Sequence, residues 1–286
     1  MIKFLTLVLA IAPLLSFAHE ACLPENNLYI SADVKFTKSV VEQEFHDAID
    51  EIEKIYGPIL KNEHQAELVV ERKWDDGTVN AYAFRKGSKW HVAMFGGLAR
   101  HPETTKDGFS AVICHEVGHH IGGAPKKKSW MSSWASNEGQ ADYFATSKCL
   151  KLLFETQEQK TLDLYNQAKK DSEELSAKAK CDEIHSNLLE AAICYRGALA
   201  GKSLARLLGS LRGNADVSFD TPDTSVVTKT DDNHPAAQCR MDTYLQGALC
   251  DKDSHERPSQ TDAAVSFCMR ADGYDKGVRP LCWYKP

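Results

Sequence analysis

Residues 111–122 constrain this chain more than any other stretch, because they read A-V-I-C-H-E-V-G-H-H-I-G and contain the pattern H-E-x-x-H. An α-helix turns once in about 3.6 residues, so His115 and His119 would lie on one face and could bind the same metal ion. Glu116, which lies between them, could accept a proton from a metal-activated water. The alternative is an ordinary amphipathic helix with two hydrogen-bonded histidines. The apolar neighbours and the glycines that follow favour a buried metal-binding helix.

A zinc site that keeps an open position for water needs a third protein ligand. In the metzincin pattern this ligand is a histidine, in H-E-x-x-H-x-x-G-x-x-H. Gly122 fits that pattern, but Pro125 stands where the last histidine belongs. The metzincin pattern is therefore excluded.

Residues 136–145 read S-N-E-G-Q-A-D-Y-F-A and predict a second helix, with Ser136 or Asn137 as its cap. Glu138 and Asp142 are four positions apart and share a face of this helix. Glu138 can therefore be the third metal ligand, while Asp142 accepts a hydrogen bond from a ligand histidine. The motif N-E-x-x-A-D is the gluzincin arrangement.

Three further motifs accompany these two, in the same order along the chain. They are V-N-A-Y-A-F at residues 79–84, W-H-V-A-M-F-G-G-L at 90–98 and H-P-A-A-Q-C-R at 234–240. Over roughly residues 40–245 the chain resembles the gluzincin metallopeptidases of the HtpX and CAAX prenyl protease type. Members of that family often carry transmembrane helices, whereas this sequence contains no such segment after its first residues.

The resemblance implies a zinc-dependent endopeptidase with one Zn²⁺ per chain. His115, His119 and Glu138 would hold the metal, and Glu116 would be the general base. His234 would stabilise the oxyanion, and Arg240 would orient or support the site. Read from the residues alone, His234 and Arg240 could equally be a helix start with a salt bridge. Asn137 and Asp142 are expected to support the metal ligands.

The fold class predicted from these patterns is α+β and predominantly helical. Apolar residues recur at helical spacing over residues 37–62, and residues 67–74, 78–85 and 89–95 predict three short strands in a small antiparallel sheet. The last strand before the metal helix could pair with an extended peptide and add it to the sheet. The expected substrate-strand residues are Asn80, Ala81, Val92, Ala93 and Met94.

Residues 1–18 have the pattern of a secretory signal peptide, with Lys3 followed by an apolar run and Ser16-Phe17-Ala18 as a cleavage site. A membrane anchor is the alternative, but Pro13 interrupts a run that is short for a bilayer crossing. The product is expected to be exported, to a periplasm or outside the cell. Residues 19–245 would form the metallopeptidase domain, and 246–286 a cysteine-rich extension packed on it.

The nine cysteines favour an oxidising compartment. Cys114, next to a metal ligand on the predicted helix, is expected to be a buried free thiol rather than a fourth ligand, because adjacent helix positions point about 100° apart. The other eight could form four disulfides, and 105 connectivities are possible. Cys268 with Cys282 is the pairing expected first.

The remaining expectations concern partners. A net charge of −6 gives no electrostatic footprint for nucleic acid. The resemblance to metallopeptidases implies polypeptide substrates. No stable membrane insertion is expected once the leader is removed, and oligomeric state is not predicted. The alternative function is a catalytically silent, zinc-stabilised peptide-binding or holdase protein. Residues 157–180 could be a surface helix or a lid over the metal.

Overall fold

The computed structural model describes residues 20–34, 40–128, 134–168, 172–213 and 215–286. The predicted signal peptide and the predicted start of the first helix, at residue 37, lie outside these ranges. Helices dominate the described chain and a small sheet lies among them, so the predicted α+β, predominantly helical class is confirmed.

The helices follow one another along most of the chain. They are α1 Glu42–His64, α2 Gly96–Arg100, α3 Lys106–Ile121, α4 Glu138–Phe144, α5 Leu150–Glu155, α6 Glu158–Asn166, α7 Ser172–Ile184, α8 Leu188–Leu211 and α9 Ala237–Leu249. A π-helical turn, Ala145–Cys149, joins α4 to α5. Residues 157–180 therefore contain α6 and most of α7. Both pack against α8, and their proposed role as a lid stays a prediction.

The sheet consists of β1 Glu20–Ala21, β2 Glu67–Lys73, β3 Ala81–Lys86 and β4 Lys89–Phe95, in the order β1-β3-β4-β2. The expectation of an antiparallel sheet is wrong, because β2 runs parallel to β4, while β3 pairs with β4 and β1 with β3 in antiparallel fashion. The connection between β2 and β3 is not a hairpin. Its backbone carbonyls form hydrogen bonds with other parts of the chain. Trp74 O accepts from the Arg100 guanidinium, and Gly77 O accepts from Ile30 N–H.

The main hydrophobic core surrounds α3. The apolar side chains of α1, β4, α5 and α8 pack around it, with Phe45, Ile113 and Leu204 among the fully buried members. Every residue of α3 from Gly108 to Ile121 is buried, so packing surrounds this helix on all sides, and its polar side chains in this range are Ser110, His120 and the groups that form the site. Thr105 caps its start, where the hydroxyl oxygen accepts from Gly108 N–H at 3.0 Å.

The described residues contain four disulfides, and their pairing corrects three expectations. The bridges are Cys114–Cys149, Cys181–Cys194, Cys239–Cys282 and Cys250–Cys268. Cys114 is therefore not a free thiol, and Cys268 does not pair with Cys282. Cys22, counted among the bridged cysteines from the sequence, is the free one.

The Cys114 disulfide has a simple geometric cause. The side chain of Cys114 points away from the metal-binding face of α3, towards the π-helical turn that carries Cys149. There the two Cα atoms lie 5.6 Å apart, within the range that a disulfide spans. The bridge therefore links the helix that carries His115 and His119 to the segment that follows α4.

Candidate metal centre

The two histidines of the H-E-x-x-H motif lie side by side on α3, and both are fully buried. Their rings make an edge-to-face contact with centroids 4.6 Å apart. Glu116, on the turn between them, is also buried, and a carboxylate oxygen lies within 4.8 Å of a His115 ring nitrogen. One turn of one helix thus supplies two adjacent imidazoles and, near His115, a carboxylate.

Glu138, the first residue of α4, faces both imidazoles. Its Oε2 lies 3.3 Å from His115 Nε2, and its Oε1 lies 3.7 Å from His119 Nε2. Two ligands held about 2.1 Å from one tetrahedral zinc ion lie about 3.4 Å apart. The observed separations match that spacing, so the three residues have the arrangement expected of a His₂Glu ligand set for one zinc ion.

Burial adds a second argument that this donor set fits a metal. His115 Nε2, His119 Nε2 and both Glu138 carboxylate oxygens are inaccessible to solvent, and none forms a hydrogen bond within the described chain. Buried polar atoms without such partners are costly, unless a cation binds them. The three residues therefore fit a zinc ion.

The other ring nitrogen of each histidine is held by a specific acceptor. His115 Nδ1 donates to Asp142 Oδ1 at 2.7 Å, and His119 Nδ1 donates to the carbonyl oxygen of Ser136 at 2.8 Å. These bonds keep a proton on each Nδ1, so Nε2, which faces Glu138, is the ring atom left to bind a metal. Asp142 therefore has the supporting position that the sequence suggested, whereas the contribution of the Ser136 backbone was not foreseen.

Arg240, on α9, binds Asp142, the carboxylate that orients His115, and its Nη2 lies 3.5 Å from His115 Nδ1. Its Nε and Nη2 donate to the two carboxylate oxygens of Asp142 at 2.6 Å, and Tyr244 also donates to Asp142. The arginine and the aspartate are completely buried. Arg240 is thus a positioning residue, which holds the carboxylate that orients His115.

Asn137 is the cap of α4, one of the two residues that the sequence left open. Its side-chain oxygen accepts from Gln140 N–H at 2.9 Å, and its amide donates to Asp231 O and Asp232 Oδ1. The cap fixes the start of α4, and Glu138 is the first residue after it. Asn137 therefore acts on the site by placing the third ligand.

The pKa values of the two imidazoles are shifted in opposite directions by burial and by neighbouring charges. Burial lowers the pKa of His115, but the carboxylates of Asp142 and Glu138 outweigh it and raise that pKa to about 9. Burial lowers the pKa of His119 to about 3. Burial alone would raise the pKa of Glu138, yet the neighbouring histidines lower it well below its ordinary range. At neutral pH, His115 must therefore lose one proton before it can bind a metal.

We expect zinc affinity to rise about tenfold per pH unit between pH 6 and pH 8, because one proton leaves His115 for each ion bound. Competition titration with a fluorescent chelator would measure this slope. Asp142→Asn removes a charge that raises the pKa of His115. The zinc affinity of this variant should therefore stop rising with pH at a lower pH than the zinc affinity of wild type. A wild-type affinity independent of pH over this range would contradict the assignment.

His234 lies beside Glu138, with its Nε2 3.4 Å from Glu138 Oε2. The same Nε2 donates to the backbone oxygen of Ala21 at 2.8 Å. Burial lowers the pKa of His234, so the ring is a neutral hydrogen-bond donor at pH 7. The residue is thus placed to donate to a peptide carbonyl next to the metal ligands, as an oxyanion donor must be.

The expected substrate strand is only partly available for pairing with a peptide. Val92, Ala93 and Met94 lie in the centre of the sheet, where β3 and β2 pair with β4 on both sides. That part of the expectation is wrong, because an interior strand has no free edge. Ala81 begins β3, which lies between β1 and β4, and Asn80 precedes it; both residues bond to residues 22 and 23.

The C-terminal residues contact α4 directly, which sequence reasoning missed. The indole of Trp283 packs on Gly139, where a Cβ atom would lie 2.2 Å from the ring. The buried Arg279 donates through Nε to Gln140 Oε1 at 2.6 Å. Gly139 and Gln140 both follow Glu138, so the extension fixes the helix that carries the third ligand. No local pattern around these residues signals that role.

Comparison with known proteins agrees with this geometry. The model of peptidase family M48 matches residues 44–138, from the first turn of α1 to Glu138. No curated protein and no solved structure matches the chain. Peptidases of family M48 depend on a metal ion, typically zinc, which the His₂Glu donor set suits. The resemblance inferred from the motifs is thereby confirmed over residues 44–138, which are similar to the gluzincin metallopeptidases of peptidase family M48.

Proposed function

We propose that this protein is an exported zinc-dependent endopeptidase with polypeptide substrates. The observation that carries the proposal is the convergence of two imidazoles from α3 and one carboxylate from α4, at separations that suit one zinc ion. Three protein ligands leave a coordination position for water or substrate, as in catalytic zinc sites.

Bound zinc would polarise the scissile carbonyl and acidify a water molecule. Glu116 takes the proton from that water and later gives it to the leaving amine, since its carboxylate lies near the ligand His115. His234 donates through Nε2 to the oxygen on which negative charge develops. Asp142 and Arg240 keep the His115 ring in the orientation that directs Nε2 towards Glu138.

Two features support export. Four disulfides link eight cysteines of the described chain, and disulfides persist in oxidising compartments. Residues 1–18 have the composition of a secretory leader, which is removed after translocation. Within the described residues, no helix combines the length and apolar composition that a bilayer crossing requires.

Casein zymography with metal exchange tests the proposal. A cleared band at the size of the protein should disappear when a chelator removes the metal and return when zinc is added back, because hydrolysis needs the loaded site. A protein that binds one zinc ion but clears no band would support the alternative of a silent peptide-binding protein. A band that persists without any bound metal would contradict a metallopeptidase.

A further inference from the structure

Arg85, near the end of β3, is a half-buried cation without a carboxylate partner in the described part of the chain. Its guanidinium carbon lies 3.4 Å from the ring centroid of Trp90 and 4.7 Å from that of Trp134, so two indole rings hold the guanidinium. Burial lowers the pKa of Arg85 to about 10, and no carboxylate of the described residues offsets that effect. A desolvated charge of this kind favours an anionic ligand.

The hydrogen bonds of Arg85 leave one edge of the guanidinium for such a ligand. Nη2 donates to the backbone oxygen of His120 at 2.9 Å, and Nε lies 3.4 Å from a ring nitrogen of the same residue. Among the described residues Nη1 has no hydrogen-bond acceptor, and it does not belong to the buried polar atoms that solvent cannot reach. A planar guanidinium held by two rings can therefore donate to a carboxylate oxygen through Nη1.

Lys126 brings a second positive charge to the same place. Its Nζ donates to Trp134 O at 3.1 Å, to Ser136 Oγ at 3.4 Å and to Gln260 Oε1 at 2.5 Å, all of them neutral acceptors. Trp134 thus contacts both cations. Burial and the charge of Arg85 lower the pKa of Lys126 to about 7. Positive charge is therefore in excess at this point of the structure.

Both cations lie close to the metal ligand His119. The backbone oxygen of Ser136 accepts from His119 Nδ1, and the hydroxyl of the same serine accepts from Lys126. The backbone oxygen that accepts from Arg85 belongs to the residue directly after His119. The cationic cluster is thus one residue away from the metal centre on two sides.

The sheet gives the position of Arg85 along an extended substrate. Tyr82 of β3 pairs with Ala21, whose oxygen accepts from His234, the proposed oxyanion donor. Arg85 follows Tyr82 by three positions. Since an extended strand rises about 3.4 Å per residue, an acidic side chain about three residues from the scissile bond would reach the guanidinium.

We propose that Arg85, together with Lys126, forms a subsite that binds an acidic side chain of the polypeptide substrate. The inference rests on the proposed peptidase function, and it gives that function a preference for Asp or Glu near the scissile bond. The substrate carboxylate accepts a charge-assisted hydrogen bond from Nη1 and neutralises part of the excess positive charge. Trp90 and Trp134 hold the guanidinium in the orientation that this bond requires.

Matched peptides test the subsite. Casein fragments identify a short sequence that wild type cuts, and amidated versions with Glu or Gln at each position around the cut are then compared. At one position the Glu version should have a kcat/KM about tenfold higher, the least expected of a hydrogen bond to a charged group. Equal values at every position would overturn the inference and leave the peptidase function standing. A preference that follows a free C-terminus instead of the Glu side chain would also overturn it.

Substitutions assign the preference to this cluster. Arg85→Gln should remove the preference for Glu, whereas Arg85→Lys should keep part of it, because the charge remains. Arg206→Gln is the control, since Arg206 is a half-buried arginine of α8 that pairs with Glu103 at 2.7 Å. It should keep the full preference. A preference that survives in Arg85→Gln would contradict the assignment. If this variant does not fold, the comparison of Glu with Gln in wild type decides alone.

A binding measurement separates this inference from the proposed function. If wild type cuts neither casein nor any peptide, the proposed function fails. Zinc-loaded Glu116→Gln is then titrated with pools of fluorescent peptides that carry Glu or Gln at one fixed position. The Glu pool should bind about tenfold more tightly in fluorescence anisotropy. Equal affinities of the two pools would overturn the subsite.

Discussion

Glu116→Gln is expected to bind one zinc ion as wild type does and to lose casein cleavage by about 10²- to 10⁴-fold, the usual contribution of a general base. The amide keeps the size and the buried position of the carboxylate, but it cannot accept the proton of the attacking water. The metal ligands are unchanged, so metal content should not fall. Zinc stoichiometry by atomic absorption and initial cleavage rates would measure the two properties separately.

Two neighbouring substitutions make this result specific. His119→Gln should lose zinc and cleavage together, because it removes a ligand. His120→Gln is the matched control, since His120 is also buried on α3 but donates through Nε2 to His91 O at 3.0 Å, away from the metal. It should retain both properties. Unchanged turnover in Glu116→Gln would refute the assigned base.

Arg240→Met is expected to lower the free energy of unfolding by about 3 to 5 kcal/mol, the usual cost of leaving one charge of a buried ion pair without its partner. Burial alone would raise the pKa of Asp142, but Arg240 and His115 lower it below its ordinary value, so the aspartate is charged. Without the guanidinium, this charge lies in a fully buried position with one fewer compensating group. Urea unfolding of the metal-free protein would measure the change.

The control is another buried arginine. Arg279 is as inaccessible as Arg240, but its Nε hydrogen bond goes to the neutral side chain of Gln140 rather than to a carboxylate. Arg279→Met should therefore cost less than Arg240→Met. Asp142→Asn combined with Arg240→Met should recover part of the loss, because no charge is then left unpaired. Equal losses for the two arginines would show that packing, not charge, sets the effect.

The part of the site that local spacing determines was predictable. His115 and His119 share a face because of the pitch of one helix, and Glu138 and Asp142 share a face of the next for the same reason. That the two helices bring these faces together could be anticipated only through the resemblance to a known family. No periodicity in this sequence says how α3 and α4 pack.

Strand pairing shows where local reasoning failed. Three short strands that follow one another along the chain suggested an antiparallel sheet. In the structure β4 lies between β2 and β3, and β2 runs parallel to β4. A strand pattern indicates which side chains lie on each face of the sheet, but it does not indicate which strands pair with it. The substrate edge was therefore assigned partly to the wrong strand.

The sequence by itself indicated the candidate donor residues, the position of Glu116 between the two histidines and the predominantly helical class, because helix periodicity and residue chemistry are local properties. Only the tertiary structure decided the cysteine pairing, the sheet order, the support of α4 by the C-terminal residues and the position of Cys22 beside His115. These features join residues far apart along the chain. Their geometry depends on how whole elements pack, which no short stretch of sequence encodes.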